Sequence, residues 1–140
     1  MAKPIGNVEL LAEFPDDTVL DDNGDEIQFA GENVARTIAE RLARCGYEVA
    51  EPENCHELGW ELDARRSGCR FWIRITKIEA FVIVTQDMTF RLWPKRGPYA
   101  EFLRDLHTVL SSDSRFSQAR WFQDVLPSEG GAWLPGPVDT

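Results

Sequence analysis

Residues 60–93 constrain the fold most, because hydrophobic side chains recur there at every second position across consecutive segments. Trp60, Leu62 and Ala64 alternate with Glu61, Asp63 and Arg65. Ser67-Gly68 then offers a turn, and Phe71, Ile73 and Ile75 alternate with Arg70, Trp72 and Arg74. A period of two places successive side chains on opposite faces, the pattern of a half-buried strand. Lys77-Ile78-Glu79 turns the chain into residues 80–85, where Phe81-Val82-Ile83-Val84 is continuously apolar, as in a central strand covered on both faces, or covered on one and met by aromatic side chains on the other. Phe90-Arg91-Leu92-Trp93 reads as a last strand, stopped by Pro94. The expected unit is an antiparallel meander of three or four strands.

The flanks predict helices. In residues 31–45, Val34, Ile38, Leu42 and Cys45 fall on one helical face, and Glu32/Arg36 and Glu40/Arg44 stand four apart with the acid first. Gly46 follows where a left-handed cap residue is expected. In residues 98–111, Tyr99, Phe102, Leu103, Leu106, Val109 and Leu110 make a broad apolar stripe behind a proline suited to the first turn. Residues 8–14 read as a short helix or an edge strand ending at Pro15. Thr18-Val19-Leu20 and Ile27-Gln28-Phe29 read as a hairpin closed by a type I′ turn at Asn23-Gly24. Residues 47–50 suggest a short strand, and residues 119–125 one more strand or helical turn. The reading is an α+β fold: an antiparallel sheet of about four to six strands, packed on one side by two main helices, in the order helix, strands, helix. Residues 1–126 form a single domain and 127–140 an extended Pro/Gly-rich tail, with Trp133-Leu134 as docking residues.

Charge narrows the function. Residues 1–63 carry sixteen Asp/Glu against four Lys/Arg, a balance of −12, whereas residues 64–140 carry eight against eleven, or +3. Phosphate binding requires a basic surface, so nucleic acid is disfavoured as a direct partner and a basic protein is favoured. No apolar run approaches the ~20 residues that span a bilayer. No secretory signal is evident and the three cysteines, Cys45, Cys55 and Cys69, are an odd set, so a reducing cytoplasmic location is expected.

Catalytic and metal motifs fail on inspection. Asp21, Asn23, Asp25 and Glu32 match positions 1, 3, 5 and 12 of a calcium loop, but position 6, which demands glycine, is Glu26. His56-Glu57-Leu58-Gly59 lacks the second histidine of a zinc protease, since Trp60 stands there. Cys55-His56 with Cys45, Cys69 and His107 matches no structural zinc spacing. There is no phosphate-cradling glycine loop and no nucleophile elbow. Neither a cofactor nor a metal is expected. Trp72, among Arg70, Arg74 and Arg91, is either a binding anchor or an aromatic shielded by stacked arginines.

In size, acidity, tryptophan content and lack of catalytic residues, the chain resembles the immunity proteins that neutralise bacterial toxins. The resemblance implies a non-catalytic cytoplasmic protein, monomer or homodimer, that binds a cognate toxin, with Asp16, Asp17, Asp21, Asp22, Asp25 and Glu26 as its partner-binding charge patch and Trp72 as an anchor. Small acidic secretion chaperones, which bind a client as dimers, share the same build. A small-molecule binder or enzyme with an unrecognised site is the third reading, and a deep pocket with converging ionisable groups would mark it.

Overall fold

The computed structural model describes residues 4–92 and 97–137. Among the described residues seven antiparallel strands make one sheet, and two helices pack on the same face of it. In chain order the elements are β1 (Asn7–Ala12), β2 (Val19–Leu20), β3 (Glu26–Gln28), α1 (Glu32–Arg44), β4 (Glu48–Val49), β5 (Glu53–Asn54), β6 (Trp60–Arg66), β7 (Cys69–Lys77), β8 (Phe81–Asp87), α2 (Gly97–Ser112) and β9 (Phe116–Phe122). The sheet order is β4-β6-β7-β8-β1-β9, with β5 beside β4 along the same edge of β6, while β2 and β3 form a separate hairpin. Among the described residues no helix is long and apolar enough to cross a membrane.

The meander forms where the alternation placed it. Leu62 faces Ile73, and Ile75 faces Ile83, on the helix-covered side. Ser67 and Gly68 both take positive φ (52° and 78°), the two-residue hairpin turn whose twist matches its strands. Val34, Ile38 and Leu42 of α1 and Phe102, Leu103 and Leu106 of α2 close over those strands as one core. At its centre the Phe71 ring stacks on Phe102 with centroids 4.4 Å apart, and Tyr47 meets Phe102 edge-on at 5.6 Å. Such pairs add about 0.5–1.5 kcal/mol each beyond the area they bury.

Four expectations are corrected. Residues 8–14 are neither helix nor edge: β1 lies inside the sheet, paired with β8 on one side and β9 on the other. Because β1 fills that place, the chain leaving β8 finds no free edge, and the expected fourth meander strand does not form. Phe90 and Leu92 are instead 89% and 81% exposed, and 93–96 lie outside the described residues. The order is therefore strand, hairpin, helix, strands, helix, strand, and the strand count exceeds six. The β2–β3 turn is not type I′. Gly24 alone takes a positive φ (83°), its N–H donates to the Asp21 carbonyl at 3.0 Å, and the Asp21 N–H donates to the Asp25 carbonyl at 2.8 Å, a type I turn closed by a glycine bulge.

Residues 119–122 of the 119–125 segment are the end of β9, whose register against β1 slips by one residue near Gln118 (φ 54°), a β-bulge. Beyond it, Leu134 exchanges both backbone hydrogen bonds with Trp121, and the Ile5 N–H donates to the Pro137 carbonyl, so residues 134–137 lie against the sheet.

Asp113 fastens the ends of three elements. Its buried carboxylate accepts from the backbone N–H and guanidinium of Arg115, at 3.0 Å and as close as 2.6 Å, with Arg41 of α1 3.6 Å away. The Arg115 hydrogen bonds, aided by the Arg41 charge, hold its pKa down at about 2. A folded pKa below the unfolded value near 3.9 confers stability that is complete above about pH 4 and lost as pH falls toward 2. Asp113→Asn should lower stability at neutral pH by about 2 kcal/mol in urea unfolding. It should also flatten the acid limb between pH 4 and 2, and an unchanged limb would refute the assignment.

Candidate functional site

At one end of the sheet, carboxylates and apolar side chains are exposed together. The β2–β3 hairpin presents Val19, Leu20 and Ile27, each at least 42% exposed, beside Asp22, Asp25 and Glu26. The 3₁₀ turn His56–Leu58 brings Glu57 and Leu58 alongside, and the β7–β8 turn brings Ile78 and Glu79. These elements surround a hollow of about 240 Å³ lined by Asp16, Glu26, Phe29, Glu57, Thr76 and Lys77 among others. Two hydrogen bonds hold them together: Trp60 Nε1 donates to the Phe29 carbonyl at 3.0 Å, and Thr76 Oγ1 to the Leu58 carbonyl at 2.8 Å.

The six acids singled out in the sequence divide into two roles. Asp17 accepts from the N–H groups of Gly31 (2.9 Å) and Asn33 (2.6 Å), capping the first turn of α1 from fourteen residues away. There a carboxylate satisfies orphan donors and complements the helix dipole. Asp21 accepts from the N–H groups of Asn23 and Asp25, both at 2.9 Å, so it builds the hairpin turn. Asp16 is exposed, and the Thr18 N–H lowers its pKa. Asp22, Asp25 and Glu26 are exposed and, among the described residues, engaged in no ion pair. Glu57 and Glu79 share that state and were not singled out in the sequence. Their one available signal was position, since each adjoins an apolar residue in a turn.

Trp72 lies apart from this end, on the face of the sheet that carries no helix. Five residues of strand separate it from Lys77, roughly 16 Å. Its Nε1 donates to Glu61 at 2.9 Å, and the Arg74 guanidinium, itself bonded to Glu61, stands 4.8 Å over its ring. Burial raises the Glu61 pKa, but hydrogen bonds from Trp72, Arg74 and Cys55 outweigh it and leave the carboxyl below its ordinary value. Beside them Asp63 pairs with both Arg65 (3.2 Å) and Arg70 (2.9 Å), and Arg91 pairs with Asp87. Trp72 is therefore half-buried in a carpet of matched charges.

Groups with reactive potential are muted. Burial, with the adjacent Glu61, pushes the Cys55 thiol up to about 11, so almost no thiolate exists at neutral pH. His107 is lowered by burial, and its Nδ1 has no hydrogen-bond partner among the described residues. Among those residues no group of three or more His, Cys, Asp or Glu is placed to hold a metal ion.

No protein-family model, no curated protein and no solved structure matches the chain. What the fold and surface define is a class of build: an α+β domain whose antiparallel sheet is helix-covered on one face.

Proposed function

We propose that this is a non-catalytic protein-binding domain that receives a basic partner at the acidic end of its sheet, in the manner of a toxin-neutralising immunity protein. One observation carries the reading. Carboxylates such as Glu61, Asp63, Asp87 and Asp113 are matched by arginines, and of the carboxylates that have no cation among the described residues, Asp22, Asp25, Glu26, Glu57 and Glu79 stand together at this one end of the sheet. Lys77 is the one basic side chain lining the hollow between them. Unmatched like charges repel one another, a cost that an oppositely charged partner turns into attraction, accelerating encounter by about ten- to a thousandfold at low salt. Val19, Leu20, Ile27, Leu58 and Ile78 supply the apolar area that surface charge alone lacks. The muted Cys55 and His107 also favour binding over catalysis.

Charge reversal tests the reading. Asp22→Lys, Asp25→Lys and Glu26→Lys together spare the capping Asp17 and the turn-building Asp21, so the fold should survive. Capture of a basic protein from native lysate should fall at least about tenfold, as should the salt sensitivity of capture. Capture by the triple variant equal to wild type would place the interface elsewhere.

A further inference from the structure

A cleft of about 470 Å³, within the size range of ligand pockets, opens on the helix-free face beside the acidic end. Its floor is Val82 of β8, Leu11 and Glu9 of β1 and Arg120 of β9, which the β1–β8 and β1–β9 registers set side by side. Ile78, Glu79 and Ala80 of the β7–β8 turn form one bank, and Leu126, Ser128 and Glu129 the other.

Glu9 is fully engaged. Its Oε1 accepts from Arg120 at 2.7 Å and from the Ser128 N–H at 3.1 Å, and its Oε2 from the Ser128 hydroxyl at 2.6 Å. Arg120 Nε is not: it is buried, with no acceptor among the described residues. The remaining lining is apolar, except for the exposed carboxylates Glu79 and Glu129 on opposite banks.

We propose that the cleft receives one apolar side chain from an extended segment of the basic partner, with lysine or arginine on either side of it. The apolar side chain covers Leu11, Ile78 and Val82, and the flanking cations meet Glu79 and Glu129. A cationic segment fits better than an acidic one because the two rim acids, Glu79 and Glu129, repel an anion. This inference rests on the reading of the domain as a binder of basic proteins and adds the motif it recognises.

The test uses three blocked tripeptides, Lys-Leu-Lys, Lys-Ser-Lys and Glu-Leu-Glu, followed by amide chemical-shift mapping on the whole chain. Lys-Leu-Lys should give saturable shifts at Ala80, Val82 and Ser128. Lys-Ser-Lys should bind about tenfold more weakly, the worth of burying one leucine side chain. Leu11→Arg, at an already exposed position, should abolish binding. Glu79→Lys with Glu129→Lys should invert the preference toward Glu-Leu-Glu, an inversion that damage to the fold cannot imitate. Equal binding of Lys-Leu-Lys and Lys-Ser-Lys, tighter binding of Glu-Leu-Glu to the unaltered protein, or shifts confined to the hairpin would each overturn the cleft assignment. If the hairpin triple variant loses its captured protein while Leu11→Arg keeps it, the cleft fails and the broader reading stands. If neither substitution affects capture, the broader reading fails with it.

Discussion

Gly59→Ala should destabilise the domain by about 3 kcal/mol and lower Tm by roughly 10 °C, measured by thermal and urea unfolding. Gly59 joins the His56–Leu58 turn to β6 with φ 99° and ψ −147°, a region open essentially to glycine alone. A β-carbon there would also run into the backbone carbonyl oxygen of Ile75 on β7, and Thr76 Oγ1 lies close behind. Neither strand can retreat, because Trp60 and Ile75 are paired across the ladder and both side chains are buried. Gly68→Ala is the control: its φ of 78° is also positive, but nothing lies within 4 Å of the added atom. It should cost only the left-handed penalty, about 1 kcal/mol. Equal losses in the two variants would show that the collision with Ile75 contributes nothing. Because the strained junction presents Glu57 and Leu58, Gly59→Ala should also weaken partner capture more than its loss of stability accounts for.

Local signals made part of this fold legible. In α1 the Val34, Ile38, Leu42 stripe, the acid-first pairs and the Gly46 cap all lie within fifteen residues, and each is present: Glu32 bonds Arg36 at 3.0 Å, Glu40 bonds Arg44 at 2.7 Å, and Gly46 has φ 96°. The β6–β7–β8 meander was legible for the same reason, since its period of two and its short turns need no distant information. What the pattern concealed is non-local. Val8 pairs with Ile83 and Trp121, residues about 75 and 113 positions away, and nothing in residues 8–14 announces an interior strand. That hidden pairing is also why Phe90-Arg91-Leu92, whose alternation suits a strand, has no edge to join.

The candidate surface was legible in charge but not in geometry. Counting acids in residues 16–26 cannot separate Asp17 and Asp21, whose oxygens receive backbone N–H groups, from Asp22, Asp25 and Glu26, which face solvent. Nor can it reveal that Glu57, Ile78 and Glu79, thirty to fifty residues further on, stand at the same end of the sheet. The arrangement separates two tasks. Engaged carboxylates hold the hairpin and its neighbours in place, so the unmatched ones are displayed on a supported frame that loses little freedom on binding.

Glu9→Ala is expected to cost about 3 kcal/mol, comparable with Gly59→Ala but for an electrostatic reason. Glu9 is 2% exposed on a strand between two others, and its carboxylate joins β9 through Arg120 and the 3₁₀ turn Pro127–Glu129 through Ser128. Removing it leaves Arg120, already short of one partner at Nε, with a part-buried charge and no carboxylate. Stripping one member from such a pair costs about 3–5 kcal/mol, and the lower figure applies because Arg120 keeps a third of its side chain in water. Replacing both charges is different, since matched apolar groups need no counter-ion. Glu9→Ala with Arg120→Met should therefore recover more than about 1 kcal/mol of the single loss in a double-mutant cycle. Amide exchange should report the same event locally, with the Ser128 N–H losing protection in Glu9→Ala while Ile73 and Ile83 in the sheet interior keep theirs. Strict additivity in the cycle, or a single-variant loss under about 1 kcal/mol, would mean that Glu9 fills space at this junction and does not fasten it.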